Sequence, residues 1–346
     1  MEQLRMAIIG AGQIARVTHI PNYLGMADVK IEGLCDMRIE TAKKTAEEFG
    51  ISRYYDSHKK MLEEIKPDAV TICVPNRFHC PVALDALDAC CHVFCEKPPA
   101  ITAQEAELME LRAQEKGKIL SYGFHFRAST QTTFLKKRIQ EGRLGEIYHT
   151  RVKWLRRRGV PGWGSFTDKK TQGGGPLIDI GVHMLDTALY LIDYPEIAYV
   201  CATSSDRIGR TEHTGLMGDW DPNRFTVEDS LFGYICFADG TSLDLQTAFA
   251  VNQKERDVRG IQLYGSREGA GVFPLEIYGE EEGQLYNQTF PFVEDKDWHE
   301  NLDQNFVKAC LGQEEILVTA HQGTYVQKVI DGLYRSAESG MPVMMK

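Results

Sequence analysis

Arg5-Met6-Ala7-Ile8-Ile9-Gly10-Ala11-Gly12-Gln13-Ile14-Ala15 is the stretch that decides how this chain folds. A short apolar run stops at a glycine, and the residues from Gln13 to Leu24 then read as a helix. The turn has the form G-x-G-x-x-A. Gly10 permits the tight bend, Gly12 lets backbone approach a diphosphate, and Ala15 lets helix and strand pack closely. The amides of Gln13 and Ile14, at the start of the helix, face any anion placed there. Asp36 closes the next apolar run, 24 residues after Gly12. A carboxylate at that place accepts from both ribose hydroxyls and repels a 2′-phosphate. The pattern predicts a bound dinucleotide and favours NAD, while Arg38, two residues on, leaves NADP open. The plainer alternative is a glycine turn with an aspartate that caps a helix.

Working outward, strands and helices alternate. Val29 to Cys35, Asp68 to Val74, His92 to Cys95 and Ile119 to Tyr122 read as strands, with helices at Glu40 to Phe49 and Pro81 to Ala89. Thr102-Ala103-Gln104-Glu105 is a capping box that opens another helix. Such alternation implies right-handed crossovers and a doubly wound parallel sheet. After Gly145 the period changes to two. Tyr148, Thr150, Val152 and Trp154 share one side of a long strand, and His149, Arg151 and Lys153 the other. Phe232 to Phe237, Asp239-Gly240 and Ser242 to Leu245 read as a hairpin. Asn301 to Cys310 and Thr319 to Ser336 read as closing helices. The expectation is an α/β protein: a dinucleotide-binding domain over residues 1–122, then an α+β domain with a large, mostly antiparallel sheet over 123–346.

Composition narrows the partners. The 346 residues are 43% hydrophobic and 25% charged, as in ordinary globular proteins. The net charge of −10 repels phosphate backbones and anionic lipid, so neither nucleic acid nor membrane is expected as a partner. Of nine cysteines, an odd number with no C-x-x-C pair, nearly all read as buried thiols in a reducing compartment. No secretory signal or apolar span is legible, so a cytoplasmic chain is expected.

Three further segments carry chemistry. Val74-Pro75-Asn76-Arg77-Phe78-His79 and Glu96-Lys97-Pro98 end two strands, the place where open α/β sheets bind ligands. Proline holds Lys97 on a stiff, extended link. A lysine ammonium beside a cationic nicotinamide would be destabilised, which lowers its pKa. The third segment runs from Gly173-Gly174-Gly175 to Asp186. Asp179 and His183, four apart, share a helix face, so the carboxylate can orient the imidazole. Asp186 lies on the same stripe and reads as structural. No third metal ligand is evident, and no metal is expected.

In order and spacing these segments resemble the Gfo/Idh/MocA family, the relatives of glucose–fructose oxidoreductase and inositol dehydrogenase, over nearly the whole chain. Pro99 departs from the family pattern, where a larger apolar residue is usual. The resemblance implies an N-terminal Rossmann domain, Lys97, Asp179 and His183 as catalytic residues, and Gly10, Gly12, Gln13, Ile14, Asp36, Arg38, Pro75, Asn76, His79, Glu96 and Lys97 around the cofactor. It implies NAD-dependent oxidation of a secondary hydroxyl of a sugar, glycoside or inositol-type polyol, and a homo-oligomer, dimer or tetramer. The run from Arg156 to Gly164, continuing through Asp168-Lys169-Lys170, is similar to the bacterial glycoside 3-dehydrogenase branch, whose members oxidise a pyranose 3-hydroxyl. Lys153, Arg156 and Trp163 are expected to line the substrate pocket, with His125 and Arg127 flanking nicotinamide or substrate. Two alternatives use the same residues: a redox-neutral glycosidase or lyase working through transient oxidation at C3, and a non-catalytic NAD-binding sensor.

Overall fold

Six short apolar runs pair in parallel: β1 (Leu4–Ile9), β2 (Val29–Cys35), β3 (Tyr54–Tyr55), β4 (Ala69–Ile72), β5 (His92–Cys95) and β6 (Leu120–Tyr122). They lie in the order β3-β2-β1-β4-β5-β6. The computed structural model of the chain describes residues 3–212, 214–294 and 297–345. Met6, Ala7 and Ile8 are fully buried, which is why β1 reads as continuously apolar: helices cover a parallel sheet on both faces. The strand order reverses at β1, between β2 and β4, and that reversal is where such sheets hold ligands. The structure adds β3 and a helix at His58–Ile65 between Phe49 and Asp68, where the sequence reading has no element. Two residues are too short for a period, and Ser57 capping the Lys60 amide is the helix's start signal. Thr102 accepts from the Glu105 amide as expected, and the Glu105 carboxylate reaches back to the Ile101 amide.

The second sheet has nine strands: β7 (Ile147–Arg156), β8 (Ile197–Ser205), β9 (Ser230–Phe237), β10 (Ser242–Ala248), β11 (Asp257–Gly265), β12 (Gly269–Val272), β13 (Glu276–Glu281), β14 (Gln284–Thr289) and β15 (Val343–Met344). All its pairings are antiparallel except β7 with β10. The β9–β10 hairpin turns at Asp239-Gly240 as its sequence predicts. The helix Val182–Leu191 packs on β7 and β11 and is buried on almost every side.

Contacts divide the chain into two compact units, Met1–His125 with Asp297–Gln327, and Phe126–Lys296 with Lys328–Lys346. The helix Trp298–Cys310 therefore belongs with the parallel sheet, although its sequence lies far downstream.

Candidate active site

In the first unit the glycine turn is fixed from both sides. Gly10 has φ +102°, and a Cβ there would lie 2.4 Å from the Cys73 carbonyl oxygen, so only glycine fits. Its amide donates to the Cys35 carbonyl at 2.7 Å. A Cβ built at Gly12 meets no atom within 4 Å, which leaves the helix entrance open to a ligand. Asp36 accepts from the Ala11 amide at 3.1 Å and from the Arg38 amide at 2.9 Å, and stays half-buried. A carboxylate beside an open glycine turn and a helix N-terminus fits the diphosphate and ribose of a dinucleotide. Gln13 and Ile14 open that helix, whose next turn, Ala15–His19, is π-helical. Arg38 projects outward with its side chain 80% exposed.

The Glu96-Lys97-Pro98 segment leaves β5 held by buried groups. Glu96 accepts from the Lys97 amide at 3.1 Å and from His19 Nε2 at 3.0 Å. His19 Nδ1 lies 2.9 and 3.0 Å from the two oxygens of Asp303, on the helix Trp298–Cys310. Burial works against the charge on His19, but Asp303 and then Glu96 outweigh it and raise the imidazole to about 10. Burial would raise Glu96; the hydrogen bond and charge of His19, with Lys97 and His125, bring it down to about 2. Lys97 is half-buried, after a glutamate it is bonded to and before a proline joined by a cis peptide. Pro75 and Asn76 lie at the end of β4, exposed and half-buried respectively. His79 does not face outward from this rim: it is buried, its ring nitrogens lie 2.7 Å from the Pro98 carbonyl and 2.9 Å from that of Val74, and burial lowers its pKa. Its part is to tie the two strand ends together. His125 stacks on His299 at 3.8 Å, and burial with that neighbour pushes it well below the usual histidine range.

In the second unit, Asp179 lies in a π-helical turn, Leu177–Gly181, that runs directly into the helix carrying His183. Turns of this kind concentrate at functional sites. Glu228 caps the run, accepting from the amides of Gly175 (2.9 Å) and Leu177 (3.3 Å) and from the Tyr334 hydroxyl (2.8 Å). A Cβ at Gly181 would lie 2.9 Å from Thr247 Oγ1, so this glycine lets the helix approach β10. His183 is buried, with the rings of Phe126 at 5.3 Å and Trp154 at 6.1 Å. Two guanidiniums lie over Trp154, each at 5.4 Å: Arg156 and Arg259. Arg259 is opposite Trp154 in the β7–β11 register, hence on the face that carries His183. Arg156 is also near Asp257, Nε to Oδ2 3.5 Å.

Two further sequence expectations change. Lys153 is opposite in alternation to Trp154, so it stands on the other face of the sheet from His183. There it lines a cavity of about 270 Å³ with Arg151, Gln246, Gln262 and Tyr278. Arg127 is not a ligand-facing residue. Its side chain has no exposure and gives Nε (2.8 Å) and Nη2 (2.5 Å) to the carboxylate of Asp186. Asp186 raises the guanidinium's pKa against the effect of burial. Trp163 is 49% exposed and edge-on to Phe166, 6.3 Å away in its own loop. His19, Asp303, Glu228, Tyr334 and Arg259 went unread; their partners lie across the fold and leave no local motif.

A family model described as "Oxidoreductase family, NAD-binding Rossmann fold" matches residues 4–124, and its companion, "Oxidoreductase family, C-terminal alpha/beta domain", matches 136–345. The chain belongs to the Gfo/Idh/MocA family. This family member is 43% identical to the D-glucoside 3-dehydrogenase of Escherichia coli (strain K12) over 340 residues, 98% of this chain and 97% of the relative. It is 26% identical to the myo-inositol 2-dehydrogenase of Thermotoga maritima over 63% of each chain. Among solved structures, levoglucosan dehydrogenase in complex with NADH and levoglucosan has the same fold, with TM-score 0.85, 22% identity and 99% of each chain covered. The chain is thus an NAD-dependent oxidoreductase with a Rossmann cofactor fold. Among the described residues no three histidine, cysteine or acidic side chains group as a metal site, and no helix is long and apolar enough to cross a membrane.

Proposed function

We propose that this enzyme oxidises the 3-hydroxyl of a glucoside with NAD, giving a 3-keto sugar. The observation that carries the reading is the 43% identity, over 98% of the chain, with a D-glucoside 3-dehydrogenase, in a chain that has Glu96-Lys97-Pro98, Asp179 and His183. Bound nicotinamide supplies the hydride acceptor. His183 takes the hydroxyl proton as general base, and Asp179 orients it. Lys97 donates to the same oxygen and offsets its developing negative charge. Asp36 and the amides of the glycine turn bind ribose and diphosphate. Phe126 and Trp154 keep the surroundings of His183 apolar and bar water from the imidazole.

The reading extends to assembly and location. The sheet face opposite His183 exposes Phe232 (43%) and Tyr234 (38%) near Lys153, which supports a homo-oligomer built through that face; the mass in solution by light scattering tests it. Nine free thiols support a reducing, cytoplasmic setting, tested by fractionation of the producing cell.

The deciding experiment gives the purified enzyme NAD and a panel of glucosides, free sugars and inositols, read by NADH absorbance and product mass. One NADH per product lighter by two hydrogens is expected. Lys97→Ala and His183→Ala should each lower kcat by about 10²–10⁴-fold. Wild-type turnover in both would remove their assigned roles, and aglycone release without NADH would make the reaction redox-neutral.

A further inference from the structure

We propose that His19 is a positioning residue for Lys97: a buried imidazolium, clamped between Asp303 and Glu96, that keeps Glu96 ionised and so fixes the backbone of the catalytic lysine. The inference deepens the dehydrogenase reading and rests on Lys97 having the role given above.

Three observations carry it. The first is donor counting. Both ring nitrogens of His19 face carboxylate oxygens, at 2.9 and 3.0 Å to Asp303 and 3.0 Å to Glu96. Asp303 also accepts from Asn22 Nδ2 at 2.8 Å, and Glu96 from the Lys97 amide at 3.1 Å. Ionised carboxylates only accept, so an imidazole between two of them must donate from both nitrogens, and it does so only as the cation. The second is burial: the side chains of His19 and Asp303 are 1% and 0% exposed and that of Glu96 is 11% exposed, so water does little of the compensating. The third is the fit around Glu96. A Cβ on Gly123 would lie 2.9 Å from each of its oxygens, so the carboxylate sits in a slot with no slack.

The consequence follows from charge balance. Glu96 without its cation is a buried carboxyl, and burial raises a carboxyl's pKa. The other titratable groups that act on it are Lys97 and His125, and His125 is pushed toward its neutral form by burial and by His299. Removing His19 would therefore let Glu96 take up a proton at moderately acid pH. A protonated Glu96 is a poorer acceptor for the Lys97 amide. With His79 tying the Pro98 carbonyl on the other side, Lys97 loses a restraint on its backbone.

The test has two arms. Nitrogen NMR of the wild-type protein reads the imidazole directly and needs no substrate. A histidine signal still doubly protonated at about pH 8.5, where an ordinary histidine is neutral, should be present in the wild type and absent from His19→Gln, which separates it from His79. If there is no such signal, the proposal fails, whatever the enzyme oxidises. The second arm is the pH profile of kcat/KM. His183, as the base, sets one ionisation on the acid limb; His19→Gln should add a second, from Glu96, and steepen that limb, and the double variant His19→Gln/Glu96→Gln, which has no carboxyl there to titrate, should return it to a single ionisation. Should His19→Gln fail to fold, Asp303→Asn replaces it: its partner helix carries no part of the glycine turn, so kcat should fall about tenfold with the NAD dissociation constant within about threefold, which is near 1.4 kcal/mol of barrier. An acid limb of unchanged steepness in His19→Gln, or NAD binding lost in parallel with kcat in Asp303→Asn, would show a merely structural residue. If the sugar panel gives no turnover but the doubly protonated histidine is present, the dehydrogenase reading has failed and the imidazolium stands.

Discussion

Replacing Arg127 by methionine separates a buried structural pair from a substrate contact. Arg127 gives two parallel hydrogen bonds to Asp186, with the two side chains 0% and 1% exposed, and the rings of Tyr190 and Tyr194 lie 5.1 and 5.6 Å from the guanidinium carbon. The variant leaves a carboxylate buried without its cation, which costs about 3–5 kcal/mol. For a folding unit of about 190 residues, each kcal/mol moves Tm by about 2–4 °C, so a fall on the order of 10 °C is expected. Burial already pushes the Asp186 carboxyl up, so in Arg127→Met it can escape by taking a proton. The deficit should therefore shrink from pH 8 toward pH 5. The double variant Arg127→Met/Asp186→Leu, with apolar groups of similar size, should recover to within about 1 kcal/mol of wild type. Calorimetry gives Tm, and NADH formation gives kcat/KM, which should stay within about threefold of wild type in the double variant. A single variant within about 3 °C of wild type would refute the energetic reasoning. A double variant that is stable yet loses sugar turnover would return Arg127 to the substrate.

Three further outcomes are expected. Asp36→Ala removes the charged acceptor for the ribose hydroxyls, at about 1.5–3 kcal/mol per hydrogen bond, so NAD affinity measured by fluorescence titration should fall at least about tenfold while NADP, no longer repelled and within reach of exposed Arg38, gains relative to it. Glu228→Ala strands the amides of Gly175 and Leu177 and the Tyr334 hydroxyl; it should lose about 2–3 kcal/mol in urea melts and lower kcat without weakening NAD, whereas Glu228→Gln should keep most of both. Stability from the His19 cluster should be fullest between pH 4.5 and 6.5: His19, raised from 6.5 to about 10, loses its contribution as pH rises through that range, and Glu96, lowered from 4.5 to about 2, loses its own as pH falls. The gap in urea midpoint between wild type and His19→Gln should be widest in that window and close on either side.

The parts of the fold that punctuation marks were legible. Gly10 has a backbone conformation that only glycine adopts cheaply, and Asp36 follows the next strand, 24 residues after Gly12, so the cofactor half could be read from the first forty residues. Alternation along β7 was legible too, but alternation names two faces and does not say which one meets the helix. Lys153 was assigned to the substrate on the strength of its polarity, whereas the face that carries His183 is the one with Trp154, Val152 and Thr150. An aromatic ring flanked by arginines is as good a neighbour for a catalytic imidazole as a lysine row, and a single strand gives no way to choose. The π-helical turns at Ala15–His19 and Leu177–Gly181 were equally hidden, because a period of 3.6 residues describes their flanks and fails inside them.

What escaped the sequence has a common physical character. His19 and Asp303 are 284 residues apart, Arg127 and Asp186 are 59 apart, and Glu228 and Tyr334 are 106 apart, yet each set is buried charge or hydrogen bonding one step behind a site residue. The glycine turn and the Glu96-Lys97-Pro98 segment lie at strand ends, where glycine and proline announce them; the groups that hold such segments still are recruited from other parts of the chain, where nothing local announces them. One signal does survive. Asp186 interrupts Val182-His183-Met184-Leu185 and Thr187-Ala188-Leu189 in a helix that is otherwise apolar, and Asp303 lies between Leu302 and Phe306 on the buried side of its own helix. A charge in such a place is tolerated only with a partner of opposite sign. An isolated acid within a buried helix therefore predicts a distant base, and here the bases are Arg127 for Asp186 and His19 for Asp303.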